Sequence, residues 1–388
     1  MNANSQIISK LFIFNFYLLA LSLAPSEFLK QVSTIFLMIL GLYYIFTKKI
    51  EFSKDIIFYS AVAFVITSII SAILAINSYE GFKGAYDVFR IMFLFLIFRD
   101  IKLEKEDINI FLNILYIATI LTLFYGLYQY FTHQKIHLEL KSIGHVNHSA
   151  IFLLIVFILS LTFFLKEYEK LNITKKIFLI LVSILTFIGI FIGGSRAAMG
   201  TSVIMMLFIF FLTGTINKRF IFYFIAFFII AIAVALINNY TLSRIHQGLD
   251  IHQRVILWIS SIKGWLEHDI LFGIGPNNAH YINPQIYFPN TYFTQITHSH
   301  NTFLTFLLEK GIFGLLFYTI FIIAIFLKLI KNLKLNSNAL TISALAIWLM
   351  NLIISFVNTT FHHENGLLMA LIWAIALNKN IQSQFNEK

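Results

Sequence analysis

Two histidines and an asparagine stand immediately before a long apolar stretch, in ITHSHNTFLTFLLEKGIFG at 296–314. His300 is a candidate general base, because an unperturbed imidazole pKa of about 6.5 suits proton abstraction at neutral pH. Asn301 would then orient a substrate or the imidazole ring. Alternatively, His298 and His300 form half of a zinc site, which needs a further ligand such as a histidine of FHHENG at 361–366.

Arg196 and Arg254 are candidates for holding a phosphate. Arg196 lies in GGSRAAMG, a short link between two apolar segments, and an arginine held at the boundary of the bilayer is costly enough to suggest a function. Small neighbours such as Ser195 allow a ligand to approach, and the free N–H groups of the following helix favour an anion. The alternative is that Arg196 only reaches towards the headgroups. Arg254, in DIHQRVILW, is an ordinary loop arginine when taken alone.

These residue types are suited to one kind of reaction. Fixed guanidinium groups can stabilise a diphosphate leaving group, and an imidazole can deprotonate a sugar hydroxyl. In a membrane, this chemistry points to glycosyl transfer from a lipid-diphosphate donor. The sequence has no cysteine and no Asp-x-Asp pair for a nucleotide-sugar metal. The sequence therefore offers no ligands for a sulfur-bound metal or a nucleotide-sugar metal, and we expect no cofactor.

A membrane protein must position these residues. Of the 388 residues, 59% are hydrophobic and 12% are charged, whereas a soluble domain carries roughly 25% charge. A helix needs about 20 mainly apolar residues to span the bilayer. We predict an all-α polytopic membrane protein, one transmembrane domain over 1–388. Its roughly twelve transmembrane helices are expected at 7–24, 32–47, 56–77, 85–98, 108–131, 148–165, 177–193, 197–213, 220–237, 303–327, 338–358 and 365–378.

The distribution of lysine and arginine predicts that both termini are cytoplasmic. That orientation places most of the basic residues inside, as the positive-inside rule requires. It accounts for the net charge of +10 without a nucleic-acid partner, which is not expected. All twelve histidines then fall on the outer side, where we expect the chemistry.

One large outer loop, 238–300, is predicted between the ninth and tenth transmembrane helices. It contains the turn-forming stretch GIGPNN and the segment 254–266, whose apolar residues share one face at helical spacing. This pattern indicates an interfacial helix, with packing against the bundle as the alternative. On the fourth predicted helix, Asp87 and Arg90 stand three apart and are expected to neutralise each other.

The order of these motifs resembles the O-antigen ligase/polymerase superfamily of bacterial inner-membrane enzymes, and most of all the O-antigen ligases. GGSRAAMG resembles the family's Ser/Thr-Arg-small segment. QRVILW…FGIGPNN resembles the family's periplasmic-loop arginine, which is followed by a glycine-rich turn. GHVNHSA resembles the Gly/Asn stretch that precedes the sixth span. The ligase pattern of a histidine, a polar residue and two later glycines is matched by His300, Asn301, Gly311 and Gly314. The four landmarks in order, together with the twelve predicted spans, cover nearly the whole chain.

The resemblance implies that His300 is the catalytic base and that Arg196 and Arg254 bind undecaprenyl diphosphate. The implied enzyme is an inverting, metal-independent glycosyltransferase that acts at the periplasmic face of the bacterial inner membrane, among membrane lipids. Its donor would be a glycan linked to undecaprenyl diphosphate, and its acceptor lipid A-core. The expected supporting residues are His298, Asn301 and Ser195.

Two alternatives stay open. Gly200 stands where ligases often carry a leucine, which weakens the choice of ligase over the O-antigen polymerase of the same superfamily. A polytopic lipid or ion transporter is the second alternative. The sequence favours it less, because it shows neither an inverted repeat nor a helix broken at mid-membrane.

Overall fold

The computed structural model describes residues 3–214, 218–237 and 251–384, and over these residues the chain is helical, without a β-strand. Each of the predicted apolar segments coincides with an α-helix. The α-helices are Ala3–Ser22, Glu27–Phe46, Ile56–Ile73, Ser78–Asp100, Lys105–Phe131, Val146–Lys166, Ile173–Gly193, Arg196–Thr213, Lys218–Ile237, Ile251–Leu266, Thr302–Leu335, Ala339–Ser355, His363–Leu377 and Lys379–Gln384.

Seven of the described helices are long and apolar enough to cross a membrane. The all-helical, polytopic character predicted from the sequence is consistent with this finding, whereas the count of twelve stays a prediction. The seven are Glu27–Phe46, Ile56–Ile73, Lys105–Phe131, Val146–Lys166, Ile173–Gly193, Arg196–Thr213 and Thr302–Leu335.

Polar residues at the ends of the apolar stretches define where several helices begin. An Asp, Asn or Ser oxygen there accepts a backbone N–H of the first turn, which would otherwise lack a partner. These caps are Ser26, Asp55, Asn77, Asn172, Asn301 and Asn338.

The helix Val146–Lys166 lies at the centre of the bundle. Every residue from 149 to 165 is buried, and neighbouring helices on several sides pack against it. Peripheral helices instead expose large apolar side chains, such as Phe46 and Phe211. Exposed rings of this kind suit a lipid surface, since they would be unfavourable in water.

The described part of the predicted outer loop folds around a small core of its own. This core comprises Leu257, Ile274, Ala279, Ile282, Ile296 and Leu308. The helix Ile251–Leu266 buries Leu257, Ser260 and Ser261, while Ile262 and Leu266, on the predicted apolar face, are exposed. Part of that face is therefore left for another surface, while Trp265 of the same face packs against the core. Residues 238–250 lie outside the described residues, so the periplasmic loop and the interfacial position stay predictions.

The helix Thr302–Leu335 is interrupted at Gly311, which has φ 64° and ψ −166°. The segment 270–275 hydrogen-bonds to the backbone at this break. The N–H groups of Ile274 and Gly275 donate to the carbonyl oxygens of Leu308 and Glu309, at 3.0 and 2.9 Å. The N–H of Ile312 in turn donates to the carbonyl oxygen of Ile270 at 3.0 Å. The glycine-rich turn is thus fixed against the helix that begins just after His300.

Replacing Gly311 with alanine is expected to destabilise the protein by at least about 3 kcal/mol, because its backbone region is essentially restricted to glycine. An added Cβ would also lie 2.3 Å from the carbonyl carbon of Leu271. Gly200→Ala is the matched control, since nothing lies within 4 Å of that added Cβ. The measurement is the midpoint of thermal denaturation in detergent, and equal midpoints for the two variants would contradict this account of the break.

Candidate active site

A cavity of about 560 Å³ opens at the end of the bundle where the helix Thr302–Leu335 begins. Its walls come from the helix Ser78–Asp100, the segment 276–298, the first turns of Thr302–Leu335, and the connection before the last long helix. The charged and histidine side chains that line it are Lys83, Asp87, His280, His298, Glu309, Lys310, His362 and His363. A concave site with several convergent polar groups is suited to binding a polar ligand.

Histidines from distant parts of the chain meet beside this cavity. The ring centroid of His148, on the first turn of Val146–Lys166, lies 5.6 Å from that of His145 and 6.2 Å from that of His298. The ring of His362 lies 6.0 Å from His148 and 6.1 Å from His298. The predicted gathering of histidines at one face is therefore realised for these four.

His300 stands two residues before the helix Thr302–Leu335 and is half-buried. Its φ of 49° is a left-handed backbone conformation, uncommon outside glycine, although histidine adopts it more often than most residues. The side chain of Asn358 lies close enough to act on the imidazole of His300, where it raises the pKa. His298, but not His300, is among the described residues that line the cavity. The imidazole of His300 is thus held next to the cavity, in contact with the 356–362 connection.

A hydrogen bond between two serines brings Arg254 towards His300. Ser261 donates through its hydroxyl to the hydroxyl oxygen of Ser299 at 2.8 Å, which fixes the helix Ile251–Leu266 against the residue preceding His300. Arg254 stands seven residues before Ser261, two helical turns away on the same face. The positive charge of Arg254 lowers the pKa of His300. The structure therefore brings together the predicted base and one of the two predicted phosphate-binding arginines.

Burial lowers the pKa of His300 to about 4, and the charges of His298 and Arg254 act in the same direction. Burial also lowers the pKa of His298. A lowered imidazole pKa means that His300 is neutral at pH 7, because the buried site disfavours its charged form. His300 can consequently accept a proton under physiological conditions.

Arg196 is the first residue of the helix Arg196–Thr213 and is half-buried. Gly194, with φ 67°, ends the preceding helix in the left-handed conformation, and Ser195 is buried between the two helices. A Cβ on Gly193 would lie 4.0 Å from the Cγ2 of Val146, two residues before His148. Arg196 therefore lies at the end of the bundle that carries the histidines, and its predicted position at the start of a helix is as expected.

The side chain of Asn301 is engaged in holding the backbone. Its Oδ1 accepts the N–H of Leu304 at 3.0 Å, which caps the helix, and its Nδ2 donates to the carbonyl oxygen of Phe356 at 3.3 Å. These contacts join the segment of His300 to the 356–362 connection. A contact between Asn301 and substrate stays a prediction.

The ion pair expected between Asp87 and Arg90 is present, with 2.9 Å between carboxylate and guanidinium. It belongs to a larger polar network that the sequence did not predict. The Nδ1 of His363 lies 2.7 Å from the other oxygen of Asp87, and Arg90 also donates to the Oε1 of Gln31 at 2.9 Å. The available signals were the adjacent histidines in FHHENG and the pair Asp87 and Arg90 in the predicted span 85–98. Neither indicates that the two segments meet.

Among the described residues, Asp87, His362 and His363 form a group that could hold a metal ion, with one ligand atom of each within 4.8 Å of the others. The half-site considered from the sequence, His298 with His300, is not part of this group. The fold and site together describe a polytopic helical protein with a polar, histidine-rich cavity at one end.

The family model described as O-Antigen ligase matches residues 181–319. This range includes Arg196, Arg254 and His300, together with the break at Gly311. The match supports, over that part of the chain, the resemblance to the O-antigen ligase/polymerase superfamily. A comparison with curated proteins finds no match.

Proposed function

We propose that the protein is an O-antigen ligase, a glycosyltransferase that moves a preassembled glycan from undecaprenyl diphosphate to lipid A-core. The observation that carries the proposal is the hydrogen bond between Ser261 and Ser299, which fixes the helix of Arg254 against the residue before His300, inside the range matched by the O-antigen ligase model. We further propose that the enzyme is a multi-pass protein of the bacterial inner membrane. Its termini would be cytoplasmic, and its cavity would open to the periplasm.

In the proposed reaction, neutral His300 accepts the proton of an acceptor hydroxyl on lipid A-core. The hydroxyl oxygen then attacks the anomeric carbon of the first sugar of the glycan, and the bond from that carbon to the diphosphate oxygen breaks. Attack from the side opposite to the leaving group inverts the anomeric configuration. Arg196 and Arg254 stabilise the negative charge on undecaprenyl diphosphate as it leaves. No metal or cofactor takes part in these steps.

The observed site supports the first requirement of this mechanism. A general base must be unprotonated at the working pH, and burial keeps His300 neutral far below pH 7. The predicted supporting residues His298 and Ser195 contribute through position, His298 at the cavity wall and Ser195 next to Arg196.

O-antigen polymerase is the alternative, and Gly200 favours it, because ligases often carry a leucine at that position of the arginine segment. Both enzymes would use the same donor. They differ in the acceptor, which for a polymerase is a second lipid-linked glycan.

Lipopolysaccharide from a strain lacking the gene, compared with the complemented strain, tests the proposal. A ligase deletion is expected to leave complete core without polymer, while long undecaprenyl-linked chains accumulate. Core bearing a single repeat unit would identify a polymerase instead. An unchanged ladder would contradict both assignments and favour the transporter alternative.

A further inference from the structure

We propose that Asp87, His362 and His363 bind a divalent transition-metal ion of the zinc type at the cavity wall. Two imidazoles and one carboxylate are a donor set that zinc uses, with bonds of about 2.0–2.2 Å. The ligand atoms of these three residues converge within 4.8 Å of one another. All three residues line the cavity, so a fourth position on the ion would be open to water or to a bound ligand.

The backbone directs the two histidines towards the same point. His363 has a φ of 44°, a conformation that costs a residue with a Cβ some free energy and that often marks a functional site. The ring centroids of His362 and His363 are consequently only 3.4 Å apart. Asp87 reaches them from the helix Ser78–Asp100, which packs against the last long helix, His363–Leu377.

One nitrogen of the cluster has no partner. The Nδ1 of His362 is buried and makes no hydrogen bond with any described atom. A buried polar atom left in this state costs free energy, and native proteins seldom tolerate it without a reason. An ion bound between the two rings would supply the missing interaction.

The carboxylate of Asp87 is oriented so that one oxygen binds Arg90 and the other faces the histidines. Arg90 donates to Oδ1 of Asp87 at 2.9 Å and is itself held by Gln31 at 2.9 Å. Oδ2 faces His363, at 2.7 Å from its Nδ1. Outer partners that fix a carboxylate in this way are typical of metal sites. On binding, the ion would take the place of any proton shared between Oδ2 and His363, and that proton would be released.

The basic residues around the cluster are each paired with a carboxylate, and for Arg90 that carboxylate is the ligand Asp87 itself. Lys310 is paired with Glu309 at 3.0 Å. Lys30 is buried between Glu27 and Glu364. The local charge therefore does not exclude a cation. The proposal is independent of the proposed transfer reaction, because none of its ligands is His300, Arg196 or Arg254 and no bond of the substrate is broken at the ion.

Zinc titration of the purified, chelator-stripped full-length protein in detergent tests the site. We expect one Zn²⁺ per chain by elemental analysis. Loss of a residue that holds a metal ligand in place typically weakens metal binding roughly 10–100-fold, and we expect Gln31→Ala to weaken zinc binding by that amount. His363→Ala and Asp87→Asn remove a ligand itself, so each should weaken zinc binding by more than this. His280→Ala is the matched control, because His280 lines the same cavity outside the cluster and its loss should change nothing.

Circular dichroism and a monodisperse elution profile distinguish lost binding from lost folding. His363 is half exposed, and His363→Gln is the milder second variant if His363→Ala does not fold. Zinc affinity that is equal in wild type and in a folded His363 variant would overturn the proposal. So would a failure of the wild-type protein to bind zinc, whatever its transfer activity.

Discussion

Replacing His300 with alanine is expected to abolish glycan transfer while leaving the protein folded in the membrane. General base catalysis contributes about 10²- to 10⁴-fold to a rate, and a loss of this size would remove attached polymer from a lipopolysaccharide gel. The side chain is half-buried, and the segment that carries it is held by the hydrogen bonds of Ser299 and Asn301. We therefore expect full abundance in the membrane fraction. Loss of protein together with activity would indicate a structural role instead.

The matched control is His268→Gln, a histidine that is exposed at the end of the helix Ile251–Leu266 and should retain activity. A second readout is the pH profile of kcat/KM, which reports the base in the free enzyme. Because burial lowers the pKa of His300 to about 4, the active neutral form persists as the pH falls through 6.5. The rate should decline only near pH 4. A decline that begins near pH 6.5 would mean an unperturbed imidazole and would contradict the described environment.

The helices were predictable because a membrane helix is encoded locally. A run of apolar residues long enough to span the bilayer must satisfy its backbone within itself, so each segment could be read without knowing its neighbours. The exception is the break at Gly311. Apolar residues continue on both sides of it, and glycine is frequent in ordinary transmembrane helices. Only the docking of 270–275 against Leu308 and Glu309 reveals why a glycine is needed there.

The candidate site was predictable in its parts but not in its assembly. His300 and Arg196 stand out because polar residues at the edge of an apolar run are costly, and the resemblance added Arg254. Contacts between helices leave no such local signal. Asp87 and His363 are far apart in sequence. Only the packing of their helices brings Oδ2 of Asp87 to 2.7 Å from Nδ1 of His363.

Local sequence also does not determine which side of the helix Ile251–Leu266 packs against the rest of the protein. Its apolar residues were correctly grouped, but the structure buries the opposite side, through Ser260, Ser261 and Gly264. Small side chains allow helices and loops to approach closely, so these residues join Ile256 and Leu257 in the contact. Hydrophobicity alone predicted the helix and left open whether its apolar face meets the membrane interface or the bundle. That orientation matters, because it turns Arg254 towards His300.

Replacing Arg254 with glutamine is expected to lower the transfer rate by about 10²- to 10³-fold, the usual cost of removing one preorganised donor from a developing negative charge. Arg254→Lys keeps the charge but loses the planar fork that binds a phosphate through two hydrogen bonds, so an intermediate rate is expected. Arg196 should respond in the same order. The measurement is the initial rate of glycan transfer in detergent at saturating acceptor.

Lys263→Gln provides the matched control, because it removes an equal charge from the same helix at an exposed position. A rate close to that of wild type would show that the arginine acts by direct contact with the diphosphate. If Lys263→Gln were as slow as Arg254→Gln, the positive field of the whole helix would account for the loss, since long-range charge effects do not depend on a specific contact. That effect would also fade as salt is raised, because exposed charges are screened beyond about 10 Å at 0.1 M ionic strength. A direct guanidinium–diphosphate contact in a half-buried site would persist.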